Sequence, residues 1–522
     1  MTKIEIYDTI LRDGSQGVGI SFSLEDKLRI AAKLDELGVV YIEGGFPLSN
    51  AVDREFFQQA KKLNLRRAQL VAFGMTRKAG SIVGEDQSIK ALIESGAPVV
   101  TIFGKTWDLH VREALGISLE ENLEIIRDSI SYLKKQEHIK KVFFDAEHFF
   151  DGHKANPEYA LQCLQVAVEA GVDCLALCDT NGGCLPLEVR EIILEVKEKI
   201  STPLGIHAHN DGGCAVANSL MAAVAGVSQI QGTMNGLGER CGNADLCLVI
   251  PNLILKMKLD CGISASQLKM LREVSKFIDE IANREHSKNQ PFVGDNAFAH
   301  KAGIHASANA KLPGAYEHID PALVGNDSKT VASELSGVGV IEEKARNFGI
   351  TIHKEEALEI LQEVKTLGEQ GYQFEAAEAS LELLIRKKCG LYNPFFNLIG
   401  SRVLVEKRYE NETLINEATI KIKLPSGEVR HVVADGNGPV DALNNALRKA
   451  LQNYYPELNQ VALLDYKVRV LTSGQGTAAK IRVLIESGSG EKRWGTVGVS
   501  ENVIEASWQA LVDSLEYFLL KK

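Results

Sequence analysis

Two short runs carry side chains whose types and spacing suit metal chemistry. In His207-Ala208-His209-Asn210-Asp211 two imidazoles stand two positions apart. On a strand, residues two apart face the same side, so both rings can reach one ion. In Leu11-Arg12-Asp13-Gly14 a carboxylate stands beside a guanidinium. Asp13 can add an oxygen to the two nitrogens, and such a mixed set with open positions suits Zn, Mn, Co or Mg better than a closed structural site. Arg12 offers permanent, planar charge to an oxygen that turns negative during a reaction. Glu43 can orient Arg12 through a charge-assisted hydrogen bond, although an ordinary structural ion pair fits the same two residues. A third run, Gly236-Leu237-Gly238-Glu239-Arg240-Cys241-Gly242-Asn243-Ala244, sets glycines around two charges and an amide. Glycine lets backbone approach a site closely. Asn243 reads either as the cap of a helix that follows or as a further oxygen ligand.

Elements must bring these runs together. The first half alternates short β-branched runs with longer helical patterns. Strands are expected at Ile4–Thr9, Val39–Glu43, Gln69–Phe73, Val99–Gly104, Lys141–Glu147, Cys174–Thr180, Leu204–His209 and Ser228–Thr233. Helices are expected at Leu24–Leu37, Leu119–Lys134, Glu158–Ala170, Leu187–Ile200 and Ala215–Ala225. Eight strand–helix units predict a closed parallel (β/α)8 TIM barrel over 1–262, an α/β fold; an open doubly wound sheet shares much of the pattern. In a barrel the chemistry gathers at the C-terminal strand ends. Asp8, Arg12, Asp13, Glu43, Lys105, Asp145, Glu147, Asp179, Thr180, His207, His209 and Asn235 all fall at or just after those ends. Phe73, Phe103, Lys105, His110 and Asp145 are candidates for the wall that selects a substrate. A helical connecting region is expected over 263–390, with one helix spanning 264–286, and Cys389–Arg402 reads as a linker. The C-terminal α+β domain, 391–522, carries an internal duplication of strand, turn, strand and helix. Its first copy is Ala418–Leu424, Val429–Ala434 and Pro439–Leu451, and its second is Lys480–Ile485, Trp494–Val499 and Glu501–Leu520.

Composition narrows the class. The chain has 522 residues, 45% of them hydrophobic and 24% charged, and a formal net charge of -11. This is a globular composition with ample core, and the acidic balance argues against a nucleic-acid partner. No run approaches the 18 or more apolar residues of a membrane span. Nine scattered cysteines without a leader segment predict a reduced, cytoplasmic chain rather than a disulfide framework.

The three runs, in this order, resemble the metal-dependent acyltransferase branch of the DRE-TIM metallolyase superfamily, which holds the 2-isopropylmalate, homocitrate and citramalate synthases. The resemblance extends through Gly303-Ile304-His305 and Tyr316-Glu317-His318-Ile319-Asp320-Pro321 into the duplicated C-terminal domain. Gly17–Lys27, Tyr41–Asn50, Phe103–His110 and Trp494–Lys521 are most similar to the citramalate synthases, although Phe46 stands where those often carry tryptophan. The resemblance implies that Asp13, His207, His209 and Asn243 bind a divalent metal ion (Mn, Mg, Zn or Co). It makes Arg12 the stabiliser of the keto oxygen, and Arg12, Glu43 and Thr180 substrate-binding residues. Glu147 with His305 is expected as the base system, with Tyr316 as a proton relay. Acetyl-CoA is then the co-substrate and pyruvate the acceptor. The C-terminal domain implies a homodimer and an amino-acid effector, isoleucine first. The nearest alternative acceptor is 2-oxoisovalerate, as in 2-isopropylmalate synthase. A lyase and a non-catalytic binding module are further alternatives.

Overall fold

The computed structural model describes residues 3–300, 308, 312, 314–330, 337–408, 413–471, 478–490 and 492–522. The chain forms two compact units. One runs from the N-terminus to Phe298 and includes Glu317–Ser328; the other holds Ala299–Tyr316 and Lys329–Lys522.

The first unit is a closed barrel of eight parallel strands. These are β1 (Glu5–Asp8), β2 (Tyr41–Gly45), β3 (Gln69–Met75), β4 (Val99–Lys105), β5 (Lys141–Glu147), β6 (Cys174–Asp179), β7 (Leu204–Ala208) and β8 (Gln229–Gly232). The barrel closes where β1 pairs with β8, Glu5 opposite Gln229 through Asp8 opposite Gly232. Parallel neighbours need crossovers, and the amphipathic segments supply them. Leu24–Leu37 is typical. Ser23 and Asp26 cap its start reciprocally, Gly38 in the left-handed region (φ 95°) ends it, and Ile30, Ala31, Leu34 and Leu37 are buried. Inside the barrel, Tyr7, Tyr41, Val71, Val99, Phe143 and Cys174 pack together. This plug leaves the polar residues of the other end to line an opening. The expected helix over 264–286 is two pieces, Ala265–Leu268 and Leu271–Ile281.

The second unit ends in two three-stranded antiparallel sheets. One holds β9 (Asn397–Arg408), β10 (Thr413–Lys423) and β11 (Val429–Gly436), followed by the helix Pro439–Leu451. The other holds β12 (Ala462–Val470), β13 (Ile481–Ser489) and β14 (Lys492–Ser500), followed by Val503–Leu520. The duplicated unit is therefore three strands and a helix, one strand longer than the sequence pattern suggests. Part of the expected linker Cys389–Arg402 belongs to β9. Its loop-like Ile399-Gly400-Ser401 is a register shift between Leu398 and Gly400, where the strand continues through a bulge. Among the described residues no helix is long and apolar enough to cross a membrane.

Candidate active site

At the C-terminal end of the barrel a cavity of about 410 Å³ opens, lined by residues that include Arg12, Asp13, Phe46, Phe73, Phe103, Asp145, Glu147, Thr180, His207 and His209. β7 carries His207, and His209 follows one residue beyond its end. Asp13 lies in the turn after β1, where its backbone N–H bonds to Thr9 O at 2.8 Å. Among the described residues Asp13, His207 and His209 form the one group of side chains able to hold a metal, and all three are buried. Asp13 Oδ2 stands 3.2 Å from His207 Nε2 and 3.9 Å from His209 Nε2. The two Nε2 atoms are 3.3 Å apart. Two nitrogens bound at about 2.1 Å to one tetrahedral ion lie roughly that far apart.

The neighbours set the imidazole's polarity. Gln231 Nε2 donates to Asp145 Oδ1 at 2.9 Å and lies 3.3 Å from Gln229 Oε1. This fixes the amide with Oε1 facing His207 Nδ1, 3.0 Å away. His207 Nδ1 must then carry the proton, which turns the Nε2 lone pair toward Asp13. Burial pulls His207 down, but Asp13, by accepting from Nε2–H of the protonated ring and by its charge, raises it overall. His209 is lowered to about 4 by burial and by His207. Burial opposes ionisation of Asp13, yet Arg12 and His207 hold it well below the usual carboxylate range. Burial raises Asp145 to about 6.

Asn243 does not cap the helix that follows it. Helix Leu246–Pro251 is capped by Asp245, which accepts from Cys247 N. Asn243 is 2% exposed, its Nδ2 donates to Leu237 O at 3.1 Å, and its Oδ1 is buried without a partner. The glycines permit this fold. A Cβ on Gly238 (φ 153°) would stand 2.2 Å from Asn243 Nδ2, and one on Gly242 (φ 88°) 1.9 Å from Gly236 O. An orphaned carbonyl oxygen beside an Asp-His-His set is a donor set that fits a divalent ion.

Arg12 is held on three sides. Its Nε donates to Glu43 Oε1 at 2.6 Å, its Nη1 lies 3.5 Å from Asp13 Oδ2, and its guanidinium sits 3.9 Å above the Phe73 ring. Glu43 is fully buried, and its Oε2 accepts from Tyr7 OH at 2.6 Å. Glu43 is not among the cavity-lining residues. It stands behind Arg12 and holds its Nε, as the orienting reading expects. Phe73 stacks on Phe103 at 5.4 Å and meets Phe46 edge-on at 6.2 Å, which makes an apolar wall beside the polar floor. Glu147 pairs with Lys105 at 2.5 Å. Thr180 Oγ1 accepts from His148 N at 2.8 Å. Of the remaining strand-end residues, Asp8 accepts from Ile10 N and Met234 N, Asp179 from Gly183 N and Cys184 N, and Asn235 from the Ser275 hydroxyl. These three hold loops. Lys105 and His110 do not line the cavity. Tyr316 belongs to the second unit and is 49% exposed, and His305 lies outside the described residues. Sequence reading passed over Tyr7 and Gln231. Both are polar residues on interior-facing positions of strands, which is a signal in itself for a barrel interior.

A closed parallel barrel with an Asp-His-His group and an oriented arginine at its mouth defines a barrel enzyme with a place for one divalent ion. The HMGL-like family model matches residues 3–278, a homocitrate synthase post-HMGL domain-like model 292–372, and the LeuA allosteric (dimerisation) domain 375–519. The chain is 56% identical to the (R)-citramalate synthase of Geobacter sulfurreducens, covering 100% of this chain and 98% of that one. It is 53% identical to the (R)-citramalate synthase of Aquifex aeolicus, covering 99% and 98%. The 2-isopropylmalate synthase of Methanocaldococcus jannaschii is 32% identical, over 100% and 95%. The chain belongs to the HMGL-like family, in its (R)-citramalate synthase branch.

Proposed function

We propose that the chain condenses acetyl-CoA with pyruvate and hydrolyses the thioester, giving (R)-citramalate and CoA. The observation that carries this reading is the buried Asp13, His207 and His209 group beside an arginine in one cavity. The acceptor assignment is supported by full-length identities of 46–56% to (R)-citramalate synthases, against 30–33% to 2-isopropylmalate synthases.

Asp13, His207, His209 and Asn243 would hold the ion, which supplies Lewis acidity toward a 2-oxo acid. The chain's own groups do the rest. Arg12 directs charge at the ketone oxygen as it becomes alkoxide. Thr180 accepts from His148 N–H, so its own hydroxyl proton is available to a substrate carboxylate. Phe46, Phe73 and Phe103 bound the space beside the acceptor's methyl group and limit its size. Glu147 with His305 removes a methyl proton from acetyl-CoA, with Tyr316 as relay. Residues 1–262 form the catalytic domain, 263–390 the connecting region and 391–522 the regulatory domain. The match to a LeuA allosteric (dimerisation) model supports a homodimer that binds a regulatory ligand, for which isoleucine is the effector proposed. Steady-state thiol release over a panel of 2-oxo acids tests the reading. Pyruvate should give the highest kcat/KM, and a preference for 2-oxoisovalerate would overturn it.

A further inference from the structure

Phe46 lies one residue past β2, in the turn before the helix Ala51–Ala60, and it lines the cavity. Its N–H donates to Asp53 Oδ2 at 2.8 Å, and its carbonyl accepts from Ser49 N at 2.9 Å and Ser49 Oγ at 2.8 Å. Asp53 and Ser49 line the same cavity. The other oxygen of Asp53, Oδ1, accepts from Lys27 Nζ in a close ion pair, and Nζ also donates to Gly44 O at 3.4 Å. Lys27 comes from the helix Leu24–Leu37, which follows the turn carrying Arg12 and Asp13. The pair therefore pins the end of β2 from the neighbouring crossover.

The pair is buried: the Lys27 side chain is 4% exposed and that of Asp53 8%. Burying two opposite charges gains little stability over an apolar contact of similar volume, so stability alone does not account for it. Nor does Asp53 cap its helix, because Asn50 Oδ1 accepts from Asp53 N at 2.8 Å and closes the helix start. The surrounding backbone is fitted to the carboxylate. Gly45 lies in the region that favours glycine (φ 145°), and a Cβ there would overlap the Asp53 carboxyl group. The register between β2 and β3 shifts at the same place, between Glu43 and Gly45. β2 ends at Gly45, so the Phe46 N–H has no strand partner and is taken by Asp53. Within this short stretch the chain passes from Glu43, which holds Arg12, to Phe46, which meets Phe73 edge-on at 6.2 Å.

We propose that Lys27 and Asp53 are positioning residues for acceptor selection. The lysine aims the carboxylate, the carboxylate holds the Phe46 N–H, and the ring so held limits the size of the 2-oxo acid. The proposal rests on the condensation reading above. The operative contact is the bond to the Phe46 N–H, and the two charges serve to orient its acceptor. A neutral pair that keeps the acceptor should therefore keep the selectivity, and an apolar pair that fills the same space should not.

The test compares two full-length double variants with Mg²⁺, acetyl-CoA and either pyruvate or 2-oxoisovalerate. Lys27→Gln with Asp53→Asn keeps an oxygen for the Phe46 N–H. Lys27→Met with Asp53→Leu keeps the packing and removes that oxygen. Neither leaves a buried charge unpaired. Lys27→Met with Asp53→Ala carries the same prediction should the leucine pack poorly. Steady-state thiol release gives kcat/KM for each acceptor. The ratio of 2-oxoisovalerate to pyruvate should rise at least about tenfold in the apolar variant and stay within about threefold of wild type in the neutral one. Added to Phe46→Ala, the apolar change should move that ratio by less than about threefold, because the ring through which it acts is gone. An unchanged ratio in the apolar variant would overturn the proposal. So would equal rises in both double variants, or a rise undiminished by Phe46→Ala. A wild-type enzyme that releases no thiol with pyruvate would instead overturn the condensation reading, recognisably before any variant is compared.

Discussion

Replacing Arg12 by lysine keeps the charge and removes the fork. Arg12 uses Nε to hold Glu43 at 2.6 Å and lies flat on Phe73 at 3.9 Å, which aims the remaining nitrogens past Asp13 into the cavity. A lysine has one nitrogen for both tasks. Glu43 is fully buried and bonded to Tyr7, so its charge needs a cation close by. Two opposite charges 4 Å apart attract by about 4 kcal/mol at an effective dielectric of 20. A lone ammonium will therefore settle on Glu43, and the keto oxygen loses its donor. Loss of one oriented donor to a developing oxyanion costs about 2.7–4 kcal/mol, or roughly 10²–10³ in kcat. Asp13, His207 and His209 keep their places, so metal affinity should stay within about threefold. Thiol-release kinetics with pyruvate and calorimetric titration with Mn²⁺ measure the two quantities on the same preparation. A kcat within threefold of wild type, or a metal affinity that falls as far as kcat, would sink the idea that Arg12 acts on the oxygen from a position set by Glu43.

Gln231→Leu removes the acceptor that fixes the His207 tautomer and should weaken metal binding about 10–100-fold, read by titration; Gln231→Glu, which keeps an acceptor, should recover most of it. Phe46→Ala opens the apolar wall, and the kcat/KM ratio of 2-oxoisovalerate to pyruvate should rise at least about tenfold, since one methylene of fit is worth about 1–3 kcal/mol; an unchanged ratio would place acceptor selection elsewhere. Asp8 is fully buried and raised to about 7 by burial, against an ordinary carboxyl value of 3.8. Between these values the folded chain holds a proton that the unfolded chain has lost, so the neutral carboxyl's contribution to stability is lost as pH rises from about 4 to 7. The urea midpoint of Asp8→Asn should gain on wild type across that window, by at most about 4 kcal/mol in stability, and then run parallel to pH 9. A constant difference across the whole range would contradict the shift.

The barrel was legible because its periodicities are strong. β5 runs Lys141–Glu147 and the helix Leu24–Leu37, as the patterns require. What escaped was decided by tertiary pairing. Nothing local in Ile399-Gly400-Ser401 says strand, because the segment is extended only through its partner β10 and the bulge that absorbs the glycine. The site shows the same division. Asp13, His207 and His209 announce themselves by type and spacing, whereas the polarity of the His207 ring is set by Gln231, from another strand, and by Asp145, from a third. The capping reading of Asn243 failed because the helix starts three residues later and Asp245 does that work. Chemistry-bearing residues can be read from the chain. Their orientation depends on neutral neighbours whose role exists only once the barrel has closed, and in a barrel interior the polar strand residues, here Tyr7 and Gln231, are therefore the ones to interrogate next.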